Sequence, residues 1–199
     1  MPRPRKFDEA DAVAAARDEF WSRGYAATSV EDLTAATGLG KGSLYSAFGD
    51  KHSLFLRALD GYLASALDSV HAQLRDPKRS PYERLVRHIR AQAAAVAGDK
   101  GRRGCLMAKS AAELASTDDE VADKVQRVLT AWRAELIDTI RAAQRDGSID
   151  PAANAQALAT ALLALMRGLE ALGKGGVKPA QIRAAGEEAV KLIPARPAE

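Results

Sequence analysis

The chain has 199 residues, of which 47% are apolar and 28% charged, with a formal net charge of +3. Ala (42) and Leu (21) far outnumber Val and Ile (16 together), a balance that favours helix over sheet and excludes disorder across the whole chain. The single Cys105 excludes an intrachain disulfide and any multi-cysteine metal site, and suits a reducing, cytoplasmic setting.

The start, Met1-Pro2-Arg3-Pro4-Arg5-Lys6, is basic, but no apolar stretch follows it as a signal peptide requires. The longest uncharged run, Pro151 to Met166, is too short to cross a bilayer. Prolines and glycines then punctuate about nine helices, with no strand needed anywhere. The first is expected over 8–23, burying Val13, Ala16, Phe20 and Trp21 and ending at Gly24. Two short helices follow at 30–37 and 41–48, then a long one over 51–75. Helices are expected at 81–97, 105–115 and 118–147, the last with a stripe of Val121, Val125, Val128, Leu129, Trp132, Leu136 and Ile140. An apolar helix from Pro151 to Leu172 and a final one over 179–193 complete the series.

The informative stretch runs from Thr28 to Phe48. Thr28 and Glu31 have capping-box spacing, so a helix should begin there. Val30 and Leu33 supply its buried face, and Gly38-Leu39-Gly40 makes a tight turn. Leu44 and Phe48, four apart, anchor the second short helix by one face and leave Lys41, Gly42, Ser43, Tyr45 and Ser46 outward. Two short helices, a glycine turn and a polar outer face are the grammar of a helix-turn-helix. Small residues let that helix N-terminus approach a phosphate, with Lys41 and Lys51 adding charge on either side.

Other motifs lead away from catalysis. Gly168 to Gly173-Lys174 fits G-x-x-x-x-G-K, but Gly175 stands where a magnesium-binding hydroxyl is required and Gly168 lies in a helical pattern. His52, His71 and His88 lack metal-ligand spacing, and no nucleophile–base pair is visible, so no metal, cofactor or enzymatic activity is expected. Cys105 has two readings. It is a small buried apolar residue, or a reactive thiol whose neighbours Arg102, Arg103 and Lys109 favour the thiolate.

The run Gly38 to Lys51, followed by Leu54-Phe55, resembles the signature of the tetracycline-repressor (TetR) family. The match covers about residues 8–60; the remainder agrees in length and all-α character. The resemblance implies a basic arm (1–7), a helix-turn-helix DNA-binding domain (8–50) and a ligand-binding and dimerisation bundle (51–199). It implies DNA contacts by Thr28, Lys41, Gly42, Ser43, Tyr45, Ser46 and Lys51, while the arm (Arg3, Arg5, Lys6) enters the minor groove as arms of related motifs do. Gly40 and Ala47 depart from the commoner Ser and His. A two-fold dimer is implied, packed through Leu158, Ala161, Leu162, Leu165 and Leu169. A small apolar or reactive inducer is implied in a pocket drawn from Tyr62, Leu63, Leu67, His88, Cys105, Met107, Trp132, Leu136 and Met166, with Lys174 near a sensing Cys105. The expected protein is a ligand-responsive repressor that binds a palindromic operator. The competing reading is a helical small-molecule-binding or enzymatic protein whose helix-turn-helix has lost DNA function.

Overall fold

The computed structural model describes residues 7–194. Nine helices and no strand occur among them: α1 (Glu9–Arg23), α2 (Val30–Thr37), α3 (Lys41–Phe48), α4 (Lys51–Leu74), α5 (Pro81–Gly98), α6 (Leu106–Leu114), α7 (Asp119–Arg145), α8 (Ala155–Lys174) and α9 (Pro179–Lys191). The chain divides into two compact units, Met1–Ala64 with Cys105–Val125, and Ser65–Gly104 with Gln126–Glu199. The expected domain boundary at residue 50 is therefore not where these units part, and α6 belongs with the N-terminal helices.

Local chemistry explains the helix ends of the first unit. Asp8 accepts the Ala10 N–H at 2.7 Å and starts α1. Gly24 ends it at φ +93°, a left-handed backbone that disfavours a side chain. Phe20, Leu33, Leu44, Phe48, Leu54, Phe55 and Leu59 form the buried interior. Phe55 meets Phe20 edge-on at 5.2 Å between centroids and Tyr25 at 4.8 Å. Val13 and Trp21, expected inside, are only half-buried; Ala12 takes the fully inward position beside Ala16 and Phe20.

The second unit packs α5, α8, α9 and the C-terminal stretches of α4 and α7 around Leu74, Leu85, Ile89, Trp132, Leu136, Ile140, Leu162 and Met166. Small residues bring α5 and α9 together. A Cβ on Gly186 would fall 2.6 Å from that of Ala93, so only glycine permits this approach. Arg90 and Glu187 bridge the same two helices through a two-pronged ion pair at 2.7–3.1 Å. The helix expected from Pro151 starts at Ala155 instead. Asn154 caps it, accepting the N–H groups of Gln156 and Ala157, while the Gln144 amide binds the carbonyls of Asp150, Pro151 and Ala153 in the turn before it. By length and composition α8 could cross a membrane, but Leu162, Leu163, Met166 and Leu169 are buried against this unit and Arg167 pairs with Glu170 at 2.9 Å.

Candidate nucleic-acid interface

Two turns of helix cannot hold themselves in water, so α3 depends on its anchors. Leu44 is fully buried and Phe48 nearly so, which turns the opposite face outward. Lys41, Gly42, Ser43, Tyr45 and Ser46 are all exposed, as expected, and Ala47 lies at the margin. Gly40 stands at the N-cap with no side-chain hydrogen bond there, and no acidic residue occupies the first turn. Around Gly40 and Gly42 nothing lies within 4 Å of where a Cβ would be, so the N-terminal end of α3 is open to close approach from outside the chain.

The surrounding charges are lightly held. Lys41 Nζ lies 3.7 Å from Glu31, both well exposed, a pair that water screens to little net value. Lys51 Nζ sits 4.4 Å from the centroid of the Tyr25 ring, which holds the cation at the start of α4. Burial, reinforced by the charges of Asp50 and Asp118, pushes the Tyr25 phenol up and keeps it neutral. His52 Nε2 lies 2.6 Å from Asp118, and the hydrogen bond from His52 holds the Asp118 carboxyl below the usual range.

One expected contact is wrong. Thr28 is fully buried, and its hydroxyl donates to the Gly24 carbonyl at 2.6 Å, so it neither caps α2 nor reaches a phosphate. Ser29 is the cap: its Oγ accepts the Asp32 N–H at 3.0 Å, and Asp32 Oδ2 accepts the Ser29 N–H at 2.8 Å. Both Thr28–Glu31 and Ser29–Asp32 carry the spacing of a capping box. The carbonyl of Gly24, which draws the threonine inward, decides between them. Arg3, Arg5 and Lys6 lie outside the described residues.

The expected pocket residues are drawn from both units. Of the nine expected pocket residues, Tyr62, Leu63, Cys105 and Met107 belong to the first unit, and Leu67, His88, Trp132, Leu136 and Met166 to the second. In the second, the Trp132 indole N–H donates to His88 Nε2 at 2.9 Å, and His88 Nδ1 lies 2.7 Å from Gln73 Oε1. The indole can only donate, so His88 is the neutral imidazole with its proton on Nδ1. Burial, with Arg167 adding to it, pushes its pKa down to about 4. The Arg167 guanidinium lies 4.4 Å over the Trp132 ring.

Cys105 is buried at the N-cap of α6, and the Tyr62 hydroxyl meets its Sγ at 3.5 Å. Lys109, expected to bear on that thiol, donates to the backbone at the end of α1. Lys174 is exposed, and its stem lies against Gly104. The expected dimer stripe is also divided. Leu162 and Leu169 are buried within this unit and Leu158 and Leu165 pack partly on its core, leaving Ala161 outward. The exposed face of α8 is the neighbouring row of Ala157, Ala161, Ala164, Gly168 and Leu172.

A helix-turn-helix presented by buried anchors and joined to a helical bundle defines a DNA-binding regulator. Residues 12–58 match the family model for bacterial regulatory proteins of the tetR family, and residues 81–185 match the tetracyclin repressor-like C-terminal domain. The chain belongs to the TetR family. It is 30% identical to the HTH-type transcriptional repressor BdcR of Escherichia coli, across 96% of this chain and 93% of that one. It is 28% identical to the repressor ComR of the same organism, across 87% and 83%. Among solved structures it resembles a cysteine-substituted form of the TetR family regulator CifR in complex with 26-bp double-stranded operator DNA. That likeness has a TM-score of 0.78 and 32% identity over 96% of this chain and all of CifR.

Proposed function

We propose that this chain is a homodimeric transcriptional repressor that grips a palindromic operator through α3 and is released by a small apolar inducer. The observation that carries the reading is the face of α3: two buried anchors behind, and Lys41, Gly42, Ser43, Tyr45 and Ser46 exposed in front. Lys41 and Lys51 supply phosphate contacts, the Tyr45 hydroxyl a further one, and Ser43 and Ser46 reach base edges. Ser29, exposed at the start of α2, takes the phosphate role first expected of Thr28. The arm of Arg3, Arg5 and Lys6 follows the adjacent minor groove. BdcR and ComR are repressors, and CifR is bound to operator DNA, which supports carrying the same role to this chain. Such a protein acts where the chromosome is, in the cytoplasm.

Two copies are required because one eight-residue helix reads too few base pairs; the half-sites then lie about 34–36 Å apart or a multiple of it. The row of small residues on α8 is the surface for that pairing. Inducer recognition is assigned to the second unit, whose interior around Trp132, Leu136 and Met166 is apolar. The test is selection from random duplexes. Enrichment of an inverted repeat whose affinity falls steeply with salt is expected, and a pool with no common sequence would sink the reading.

A further inference from the structure

Helix α6 reaches the DNA-binding helices through two side chains one turn apart. Lys109 Nζ donates to the carbonyls of Trp21 and, at 3.1 Å, Ser22, which belong to the last turn of α1. Glu113 Oε2 accepts the N–H groups of Tyr25 at 2.8 Å and Ala26 at 3.3 Å, just beyond that turn. The cation therefore meets the negative end of α1 and the carboxylate meets the N–H groups that follow, each matched to the local dipole. Gly24 lies between them at φ +93°, and a Cβ there would fall 2.1 Å from Glu113 Oε1, so the backbone is folded directly against the carboxylate. From Gly24 the contact continues: its carbonyl holds the Thr28 hydroxyl, and the next residue, Ser29, caps α2.

We propose that Lys109 and Glu113 are positioning residues for operator binding: together they fix the turn between α1 and α2, and so set where α3 presents its outer face. Neither side chain is on a helix expected to touch DNA. The role rests on the reading of α3 as the recognition helix given above. A charge on the outer face acts on any duplex, whereas a misplaced recognition helix loses only the matched sequence, and this difference separates positioning from simple attraction.

The experiment uses the full chain and the operator enriched by the wild type, with a scrambled duplex as control. Glu113→Ala and Lys109→Met are each expected to raise the operator Kd about tenfold, the scale of one charge-assisted hydrogen bond. Affinity for the scrambled duplex stays within about twofold, and amide exchange at Tyr25 and Ala26 accelerates in Glu113→Ala. Glu113→Gln keeps an acceptor oxygen at the same reach and is expected to recover operator affinity to within about threefold of wild type. Should Glu113→Ala fail to fold, Lys109→Met and Glu113→Gln decide the matter. The proposal is overturned if operator and scrambled affinities fall together, or if operator affinity is unchanged while the two amides lose protection. A wild-type chain that enriches no operator overturns the recognition reading itself, a result distinct from either.

Discussion

The two units bury their helices by different means. Eight of the ten aromatic side chains, Phe7, Phe20, Trp21, Tyr25, Tyr45, Phe48, Phe55 and Tyr62, belong to the first unit, and only Tyr82 and Trp132 to the second. A helix of eight residues such as α2 or α3 turns just one or two side chains inward, so large rings must bridge the gaps between elements. The long helices of the second unit have many inward positions and close on each other through alanine and glycine, as at Ala93 and Gly186. The outer faces differ in the same way. The first unit leaves a polar and cationic surface on α3, and the second leaves small apolar residues on α8. The proposed roles divide along the same line, one surface for a phosphate backbone and the other for a second copy of the chain.

The comparison is broken most forcefully at Phe55, which is 1% exposed and touches the rings of both Phe20 and Tyr25. Phe55→Ala is expected to cost about 3–5 kcal/mol and to abolish operator binding. If the first unit depends on its rings separately, urea denaturation followed by circular dichroism will split into two steps, the earlier belonging to this unit; a single shifted transition would show that the two units unfold as one. The next largest effect lies at Gly168, exposed on α8 with nothing within 4 Å of where a Cβ would be. Gly168→Arg should leave the melting of the isolated protomer within about 1 kcal/mol of the wild type, since an exposed helical glycine is no asset to begin with. It should nevertheless convert a dimer into a monomer by sedimentation. A dimer that survives the arginine would move the pairing surface away from α8.

Much of the first unit was legible because its punctuation is local. The end of α2 and the start of α3 follow from Gly38 and Gly40, and Leu44 and Phe48 announce by spacing which face of α3 turns inward. Thr28 misled because the group that captures it, the Gly24 carbonyl, lies on the preceding turn and competes with a cap of equally good spacing. On α8 the periodicity marks the leucines as one face, of which Leu162 and Leu169 are buried in the chain's own interior and Leu158 and Leu165 partly so. The smaller residues beside it carry almost no hydrophobic signal and are the ones left outside. Lys109 and Glu113 could not have been found, since their partners are backbone groups 87 or 88 residues away and backbone has no sequence signature.

A smaller effect concerns the one polar pair at the centre of the second unit. His88 titrates near 6.5 when unfolded and at about 4 in place, so the folded chain resists a proton that the unfolded chain accepts. Stability from this source is complete above about pH 6.5 and is lost as pH falls toward 4, by at most about 3 kcal/mol. His88→Gln can still accept the Trp132 N–H and has no charge to gain. It should flatten the stability profile between pH 6.5 and 4 in urea titrations, and an unchanged slope would place the acid sensitivity elsewhere. No equivalent buried imidazole occurs in the first unit, where His52 and its partner Asp118 both keep contact with solvent.

The finest test is made on the surface of α3. Lys41→Ala removes a side chain whose ion-pair partner, Glu31, lies 3.7 Å away in open water, so the melting point should scarcely move. Operator binding responds differently, because each neutralised phosphate releases counterions whatever the sequence. The slope of log K against log salt should fall by about 1, with affinities for matched and unmatched duplexes weakening in parallel. Ser46→Ala in the same helix should leave that slope alone and relax preference at one operator position. If both substitutions changed the salt slope, or neither did, the face of α3 would not be reading a duplex in the orientation its buried anchors impose.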